Sequence, residues 1–260
     1  MTNFVTHDGA RLAFRADGPD DAPPLVFINS LGTDMHMWGS QTSVLGQGFR
    51  VVRYDTRGHG QSDAPEGPYT IEQLGQDALA LLDHLNIERA HVCGLSLGGM
   101  VALWLAATHS ERVSRAVFAN TAAQIGSAES WQARIDAVQA GGMAAVRGMV
   151  LARFLSPRFR KEHPAVTSSI GDMLEATDPT GYIGACAALR DTDLHPIVSA
   201  ISAPSLIIAG TLDESTPPAQ SDELHAAIAG SELIKLPAGH LSNIEQPEQF
   251  SDHLLRFLVN

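Results

Sequence analysis

Short apolar runs alternate with longer amphipathic stretches along most of the chain. Each run is only a few residues long and continuous in its apolar character, which is typical of strands covered on both faces in a parallel sheet. Asp8-Gly9 stands between the first two runs and is a strong signal for a hairpin turn. The pattern predicts strands at residues 3–6, 11–15, 24–29, 50–55, 90–93, 116–120, 205–209 and 232–236.

The amphipathic stretches carry apolar residues with a period near 3.6, which predicts helices that cover the sheet. One helix is expected over residues 71–85, with Thr70 as its N-cap, and another over residues 97–108. A third starts at Pro247, a residue suited to a first helical turn, and runs to Val259. Strands that alternate with helices predict an α/β fold with a mostly parallel sheet of eight strands, flanked by helices.

The alternation stops between residues 123 and 190. This stretch holds several helix-like pieces and no clear strand, and turn-forming pairs such as Gly141-Gly142, Ser156-Pro157 and Asp178-Pro179 divide it. We therefore expect residues 123–190 to form a helical lid inserted after the sixth strand. Residues 1–122 and 191–260 would form the core domain.

Composition narrows the class of protein and its partners. The 260 residues suffice for one large core, and the net charge of −12 disfavours nucleic acid and anionic membranes as partners. No apolar run is long enough to cross a bilayer, and no secretory signal pattern is visible. Two widely separated cysteines fit a reducing cytoplasm, and no Cys/His cluster has metal-ligand spacing. The sequence leaves the oligomeric state open.

Ser96 lies in the run Gly94-Leu-Ser96-Leu-Gly98, between the strand predicted at 90–93 and the helix predicted at 97–108. A G-x-S-x-G pattern at such a strand-to-helix turn is the context in which a serine becomes a nucleophile. Glycine on both sides removes the Cβ atoms that would clash in a tight bend. The helix N-terminus beneath the serine would favour developing negative charge.

A serine nucleophile needs a base to accept its proton and an acid to orient that base. His240 and Asp213 each follow one of the last two predicted strands, so both should lie at the sheet edge that presents Ser96. Glu214 is a second candidate for the acid, whereas Asn120, after the sixth strand, cannot carry the charge. We predict Ser96, Asp213 and His240 as the catalytic triad, in the chain order expected for an α/β-hydrolase.

An oxyanion hole needs two backbone N–H groups aimed at one point. We predict these to be the N–H of Leu97, directly after the nucleophile, and that of Leu31 in the loop after the third strand. The run 55–62, Asp-Thr-Arg-Gly-His-Gly-Gln-Ser, lacks the Lys-Ser/Thr pair of a phosphate-binding loop. It is therefore predicted to be a structural turn.

These motifs make the chain resemble the α/β-hydrolase superfamily over nearly its whole length, and more narrowly the 3-oxoadipate enol-lactonases. The superfamily features are the 29–38 loop, Asp-x-Arg-Gly-His-Gly-x-Ser, Gly-Leu-Ser-Leu-Gly-Gly, Gly-x-x-Asp and Gly-His-Leu-Ser-Asn-Ile-Glu-Gln-Pro. The narrower features are Asn-Ser-Leu-Gly-Thr-Asp at 29–34, Ala-Asn-Thr-Ala-Ala at 119–123, Trp131-x-x-Arg134-Ile135, Gly181-Tyr182, the run 186–194 and Thr216-Pro217-Pro218. One departure is Asn29-Ser30, where many relatives have His-Gly, but a backbone donor at Leu31 should survive that change.

The resemblance implies that the protein opens 3-oxoadipate enol-lactone to 3-oxoadipate in aromatic-compound catabolism, through an acyl-enzyme and without metal or organic cofactor. The partner would be a small anionic lactone, whose carboxylate arm needs one cation in an otherwise apolar pocket. Trp131 and Arg134 fall on one apolar helix face, and we predict them to bind substrate, with Arg134 as the carboxylate clamp. The open alternative is that Arg134 extends to solvent or pairs with an acid.

Charge is distributed in a way that favours an anion near the lid. Residues 123–190 hold seven Arg and Lys against six Asp and Glu, whereas the remaining chain is strongly acidic. Two other functions stay open at this point. One is a general carboxylesterase or perhydrolase, and the other is a slow-turnover signal-binding hydrolase.

Overall fold

The computed structural model describes residues 2–259, and the described residues contain one sheet of eight strands. The strands are β1 (Thr2–Val5), β2 (Arg11–Asp17), β3 (Pro24–Ile28), β4 (Arg50–Tyr54), β5 (Ala90–Leu95), β6 (Val113–Ala119), β7 (Ser205–Gly210) and β8 (Glu232–Leu236). Their order across the sheet is β1-β2-β4-β3-β5-β6-β7-β8. β1 and β2 form an antiparallel hairpin, β2 is antiparallel to β4, and β3 to β8 run parallel to one another. The predicted eight-stranded, mostly parallel sheet is confirmed.

Helices connect the parallel strands. In the described part of the chain they are α1 (Gly39–Leu45), α2 (Ile71–His84), α3 (Leu97–Thr108), α4 (Ala128–Gly141), α5 (Ala144–Phe154), α6 (Pro157–Glu162), α7 (Pro164–Glu175), α8 (Pro179–Arg190), α9 (His195–Val198), α10 (Pro218–Ala227), α11 (Ser242–Glu245) and α12 (Pro247–Val259). Thr70 caps α2 as predicted, because its side chain accepts the N–H of Gln73. Parallel strands need such crossovers, since a short turn cannot return the chain to the same end of the sheet.

Most strand boundaries differ from the prediction by one to three residues, and β5 and β6 show the reason. β5 continues beyond residue 93, because Gly94 and Leu95 still pair with Phe118 and Ala119 of β6. β6 begins at Val113 rather than residue 116, although Ser114 and Arg115 are polar. Pairing with the neighbouring strand decides these ends, and an apolar run marks only the part of a strand that lies deepest in the core.

Residues 123–190 contain α4 to α8 and lie between β6 and β7. α4 packs on α8, α5 packs on α4 and α7, and α6 packs on α7. Apolar residues of these helices, such as Val146, Leu174 and Ala188, are fully buried and join the main hydrophobic core. The five helices therefore form a packed layer, and their role as a lid stays a prediction.

The sheet brings distant parts of the sequence to one edge. β5 to β8 are neighbours and parallel, so the residues that follow each of these strands emerge side by side. Ser96, Asn120, Asp213 and His240 are the residues at or just beyond these four carboxyl ends. This edge is where open α/β sheets place their binding sites.

Candidate functional site

Ser96 occupies a strained turn between β5 and α3. Its backbone has φ +58° and ψ −116°, a conformation that residues with a side chain rarely adopt. Such strain costs about 1–3 kcal/mol and persists only where the surrounding structure holds it. Here the Ser96 N–H donates to the carbonyl of Ala119 at 3.0 Å, and Thr121 Oγ1 donates to the Ser96 carbonyl at 2.8 Å. The turn is thus held from the end of β6.

The glycines on either side of Ser96 allow the chain to close this turn. A side chain at Gly94 would collide with the backbone of Gly98. A side chain at Gly98 would collide with the carbonyl oxygens of Ile28 and Asn29 at the end of β3. The start of α3 therefore lies directly against the loop that follows β3, as the predicted oxyanion hole requires.

His240 and Asp213 form a buried pair. His240 Nδ1 lies 2.8 Å from Asp213 Oδ2, and both side chains are almost completely excluded from solvent. Glu214 is exposed to solvent, and of the two candidate carboxylates it is Asp213 that contacts His240. The geometry is that of an acid orienting a histidine base.

Five hydrogen bonds surround the Asp213 carboxylate. Oδ1 accepts the backbone N–H groups of Ser215 and Thr216, and Oδ2 accepts the hydroxyl of Thr216, the amide of Asn120 and the imidazole of His240. Burial raises the pKa of Asp213, but the charge of His240 and these hydrogen bonds outweigh it, so the pKa lies below its usual value. Asp213 is therefore ionised wherever the protein is folded near neutral pH.

Ser96 and His240 approach this edge from β5 and β8. Among residues 2–259, the Ser96 hydroxyl makes no hydrogen bond to His240. Serine–histidine contacts often tighten only in the complex with substrate. The structure therefore joins two of the three predicted triad members directly and places the third at the same sheet edge.

The segment 154–156, which runs from the last residue of α5 to the start of α6, contacts the loop that carries His240. The ring of Phe154 stacks on His240 at a centroid distance of 5.5 Å, and the Phe154 carbonyl accepts the N–H of Leu241 at 3.0 Å. Glu245 accepts both the N–H and the hydroxyl of Ser156, at 2.6 and 2.7 Å. These contacts are not predictable from the sequence, because nothing in the local pattern of residues 123–190 indicates which helix end reaches the histidine.

The predicted oxyanion donors lie on two adjoining segments. Leu97 is the first residue of α3, so its N–H has no acceptor within the helix. In the loop after β3 the N–H of Gly32 donates to His59, and in the described residues that of Leu31 has no acceptor. Asn29 bridges the loop to the core, since its amide donates to the Tyr54 carbonyl and accepts the indole N–H of Trp38. Leu31 and Leu97 stay predicted as the two donors.

The run 55–62 packs against the loop that follows β3 and hydrogen-bonds to it. Arg57 is buried and forms ion pairs with Asp77 at 2.6 Å and Asp8 at 2.9 Å, which anchor the turn to α2 and to the β1–β2 hairpin. His59 Nε2 accepts the Gly32 N–H at 2.9 Å, next to Leu31. His59 Nδ1 faces the carbonyl of Arg57 at 3.1 Å and therefore carries the proton. The turn thus holds the loop after β3, in which Leu31 is the predicted oxyanion donor.

We expect His59 to make the stability of the protein depend on pH. Burial lowers the pKa of His59 from 6.5 to about 4. Between these values the unfolded chain binds a proton that the folded protein excludes, so the free energy of unfolding should fall as pH drops from about 6.5 to about 4. Urea unfolding of the wild type and of His59→Gln at several pH values in this window measures the difference. If the free energies of unfolding of the two proteins change with pH in parallel, His59 is not the source of the pH dependence.

Arg134 lies half-buried on α4. Its guanidinium stacks on the ring of Trp131 at 4.6 Å and donates to Met149 Sδ at 3.6 Å. Within residues 2–259, no acidic side chain forms an ion pair with Arg134. The alternative that Arg134 pairs with an acid is therefore wrong for this part of the chain. The indole N–H of Trp131 donates to the Ile125 carbonyl, which fixes the ring that supports the guanidinium.

Tyr182 lies between Arg134 and the loop that follows β3. Burial raises the pKa of the Tyr182 hydroxyl, and the nearby charge of Arg134 opposes that rise. The same tyrosine ring lies against Gly32, because a side chain at Gly32 would touch it. Tyr182 is therefore close both to Arg134 on α4 and to the loop that holds Leu31.

The described residues offer neither a metal-binding cluster nor a membrane-spanning helix. Between residues 2 and 259, no group of three or more His, Cys, Asp or Glu side chains is arranged to hold a metal ion. Over the same residues, no helix is both long and apolar enough to cross a membrane.

Comparison with known proteins agrees with this geometry. A family model described as the alpha/beta hydrolase fold matches residues 23–247. Two proteins of Acinetobacter baylyi, 3-oxoadipate enol-lactonases 1 and 2, are 42% and 40% identical over 95% of this chain and 92% of their own length. The crystal structure of the enol-lactonase from Burkholderia xenovorans is 44% identical, covers both chains completely and superposes with a TM-score of 0.98. The turn at Ser96, the buried Asp213–His240 pair and these matches lead to one conclusion: the chain belongs to the α/β hydrolase family.

Proposed function

We propose that this protein hydrolyses 3-oxoadipate enol-lactone to 3-oxoadipate, with Ser96 as nucleophile, His240 as general base and Asp213 as the acid that orients the base. The observation that carries the proposal is the buried Asp213–His240 pair at the sheet edge that presents Ser96 in its strained turn. The enol-lactonases that resemble the chain over 95% of its length support the choice of substrate.

The reaction follows from the positions of these groups. His240 takes the proton of Ser96 as the hydroxyl oxygen bonds to the lactone carbonyl carbon, and the N–H groups of Leu31 and Leu97 hold the oxyanion. The ring C–O bond then breaks, and the leaving enolate takes a proton and becomes a ketone. Water, deprotonated by His240, attacks the acyl-enzyme and releases the second carboxylate. The sum is one lactone and one water converted into one keto diacid.

Arg134 supports an anionic substrate. An arginine that is half-buried, held by an aromatic ring and not paired with an acid is available to a carboxylate. Tyr182 lies near both Arg134 and Gly32 of the loop proposed to hold the oxyanion. We also propose a cytoplasmic location, which the two buried, unpaired cysteines support.

Steady-state kinetics on the enol-lactone test the proposal. We expect a kcat/KM for the lactone well above that for neutral p-nitrophenyl esters of similar acyl length. Equal or better turnover of the neutral esters would indicate a general carboxylesterase, and efficient peracid formation with hydrogen peroxide would indicate a perhydrolase. A burst of one product molecule per protein molecule, followed by a very low steady-state rate, would indicate a signal-binding hydrolase.

Replacement of Arg134 by alanine should raise KM for the anionic lactone about 10- to 100-fold, with a smaller effect on kcat, because a charge-assisted contact to the substrate is lost. The same variant should leave KM for a neutral ester nearly unchanged. Arg158→Ala is the matched control, since Arg158 is an exposed arginine on α6, another helix of the 123–190 layer. Equal losses on both substrates would count against a carboxylate clamp.

A further inference from the structure

Asn120 is a buried amide at the centre of the candidate site, and the proposed mechanism does not use it. It follows β6 directly, is completely excluded from solvent and has a backbone φ of +44°. Its backbone N–H donates to the Ile208 carbonyl at 2.7 Å, which ties it to β7. An asparagine tolerates this left-handed backbone better than most residues do, so the position favours a short amide side chain.

The amide of Asn120 connects the loops of the two residues proposed as acid and base. Nδ2 donates to Asp213 Oδ2 at 2.9 Å and to the carbonyl of Gly239, the residue before His240, at 3.3 Å. Oδ1 accepts the hydroxyl of Ser242, two residues after His240, at 2.5 Å. One planar group thus contacts the acid and both sides of the base.

We propose that Asn120 is a positioning residue that holds the Asp213 carboxylate and the His240 loop in the relation required for acid–base catalysis. The inference rests on the proposed roles of Asp213 and His240. It explains why this place holds an amide: the site needs a donor for Asp213 and Gly239 and an acceptor for Ser242 at once, and only a primary amide of this length offers both.

The hydrogen bond also controls how tightly the carboxylate holds a proton. Asp213 Oδ2 has three donors, namely His240 Nδ1, Thr216 Oγ1 and Asn120 Nδ2, and each disperses its negative charge. Without Asn120 the Asp213 carboxylate keeps more of its negative charge, and that charge stabilises the protonated form of the His240 imidazole more strongly. The proton loss that activity requires should then occur at higher pH.

The neighbouring titratable groups are few. Besides Asp213 and His240, the carboxylate of Glu245 lies beside the backbone of Gly239, where Ser156 binds it. Phe154 covers His240 from α5 and does not titrate. A change in the pH profile of an Asn120 variant can therefore be assigned to the Asp213–His240 pair, provided that Glu245 keeps its contact with Ser156.

The first test is Asn120→Leu, which preserves the side-chain volume and removes the donors and the acceptor. We expect kcat to fall about 10- to 100-fold with KM little changed, and the acid limb of kcat/KM to move up by about one pH unit, the size expected for a hydrogen bond to a charged group. Asn243→Leu is the matched control: Asn243 is an equally buried amide that donates to the Met37 carbonyl and contacts no proposed triad residue. It should lower stability without moving the acid limb.

The second test is Asn120→Asp, which preserves the shape and is informative if the leucine variant does not fold. The second carboxylate adds negative charge beside the Asp213–His240 pair and favours the protonated imidazole, so the acid limb should move further upward than in the leucine variant. The low-field proton resonance of the Asp213–His240 hydrogen bond, followed against pH in the free proteins, gives the same shift without any substrate. That readout separates failure of this inference from a wrong choice of substrate. The proposal is overturned if, in both variants, the acid limb and the resonance titrate at the same pH as in the wild type. It is also overturned if activity is lost while the pH midpoints of the acid limb and of the resonance stay unchanged.

Discussion

Replacement of Ser96 by alanine should lower kcat for the enol-lactone by a factor on the order of 10⁴ to 10⁶. Removal of a serine nucleophile leaves only the part of the rate enhancement that binding and oxyanion stabilisation supply. The loss should extend to every ester that the wild type cleaves, because all would share the acyl-enzyme step. Initial rates at saturating substrate, with wild-type contamination excluded, measure the effect.

Two controls make the Ser96 result specific. Ser43→Ala changes an exposed serine on α1 and should leave the rate unchanged. The wild type, but not Ser96→Ala, should also gain the mass of one phosphonyl group when treated with an organophosphonate ester. An alanine variant that kept wild-type rates on any ester would exclude Ser96 as the nucleophile.

Replacement of Asp213 by asparagine should lower kcat about 10⁴-fold with little change in the shape of the site. The asparagine is isosteric, but the charge that stabilises the imidazolium is lost. The surroundings of Asp213 add a second effect, since Ser215, Thr216, Asn120 and His240 all point donors at it. An amide NH₂ placed among these donors would leave at least one of them without an acceptor and would favour the wrong orientation of His240.

The adjacent residue provides the control for Asp213. Glu214 is exposed and hydrogen-bonds to neither His240 nor Asn120 in the part of the chain that the structure describes, so Glu214→Gln should retain nearly the wild-type rate. Measurement of kcat for both variants at pH 7 decides between the two carboxylates. A large loss in Glu214→Gln together with an active Asp213→Asn would reverse the assignment.

Much of the architecture could be predicted from local pattern. Eight short apolar runs indicated the strands, and glycines 94 and 98 indicated the turn at Ser96. The order of Ser96, Asp213 and His240, each just beyond a strand, was informative because parallel strands deliver their carboxyl ends to one edge. Boundaries such as the start of β6 were less predictable, since pairing with β5 extends the strand through polar residues.

The supporting contacts were not predictable, because they join residues far apart in sequence. His59 binds Gly32 across 27 positions, Glu245 binds Ser156 across 89, and Asn120 binds Asp213 across 93. Asn120 cannot carry charge, and its sequence position alone therefore indicates no catalytic role. Its amide nevertheless supplies the hydrogen bonds that a carboxylate could not donate.

Local patterns along the chain thus specify the fold class, the turn that presents Ser96 and the strand ends after which its partners lie. Those features depend on periodicity and on glycine at particular positions, which are local properties of the chain. Long-range packing specifies the rest: Asp213 rather than Glu214 contacts His240, Phe154 covers the histidine, and Arg134 has no acidic partner among residues 2–259. These outcomes depend on which side chains meet across the packed core, and packing is set by the whole chain at once.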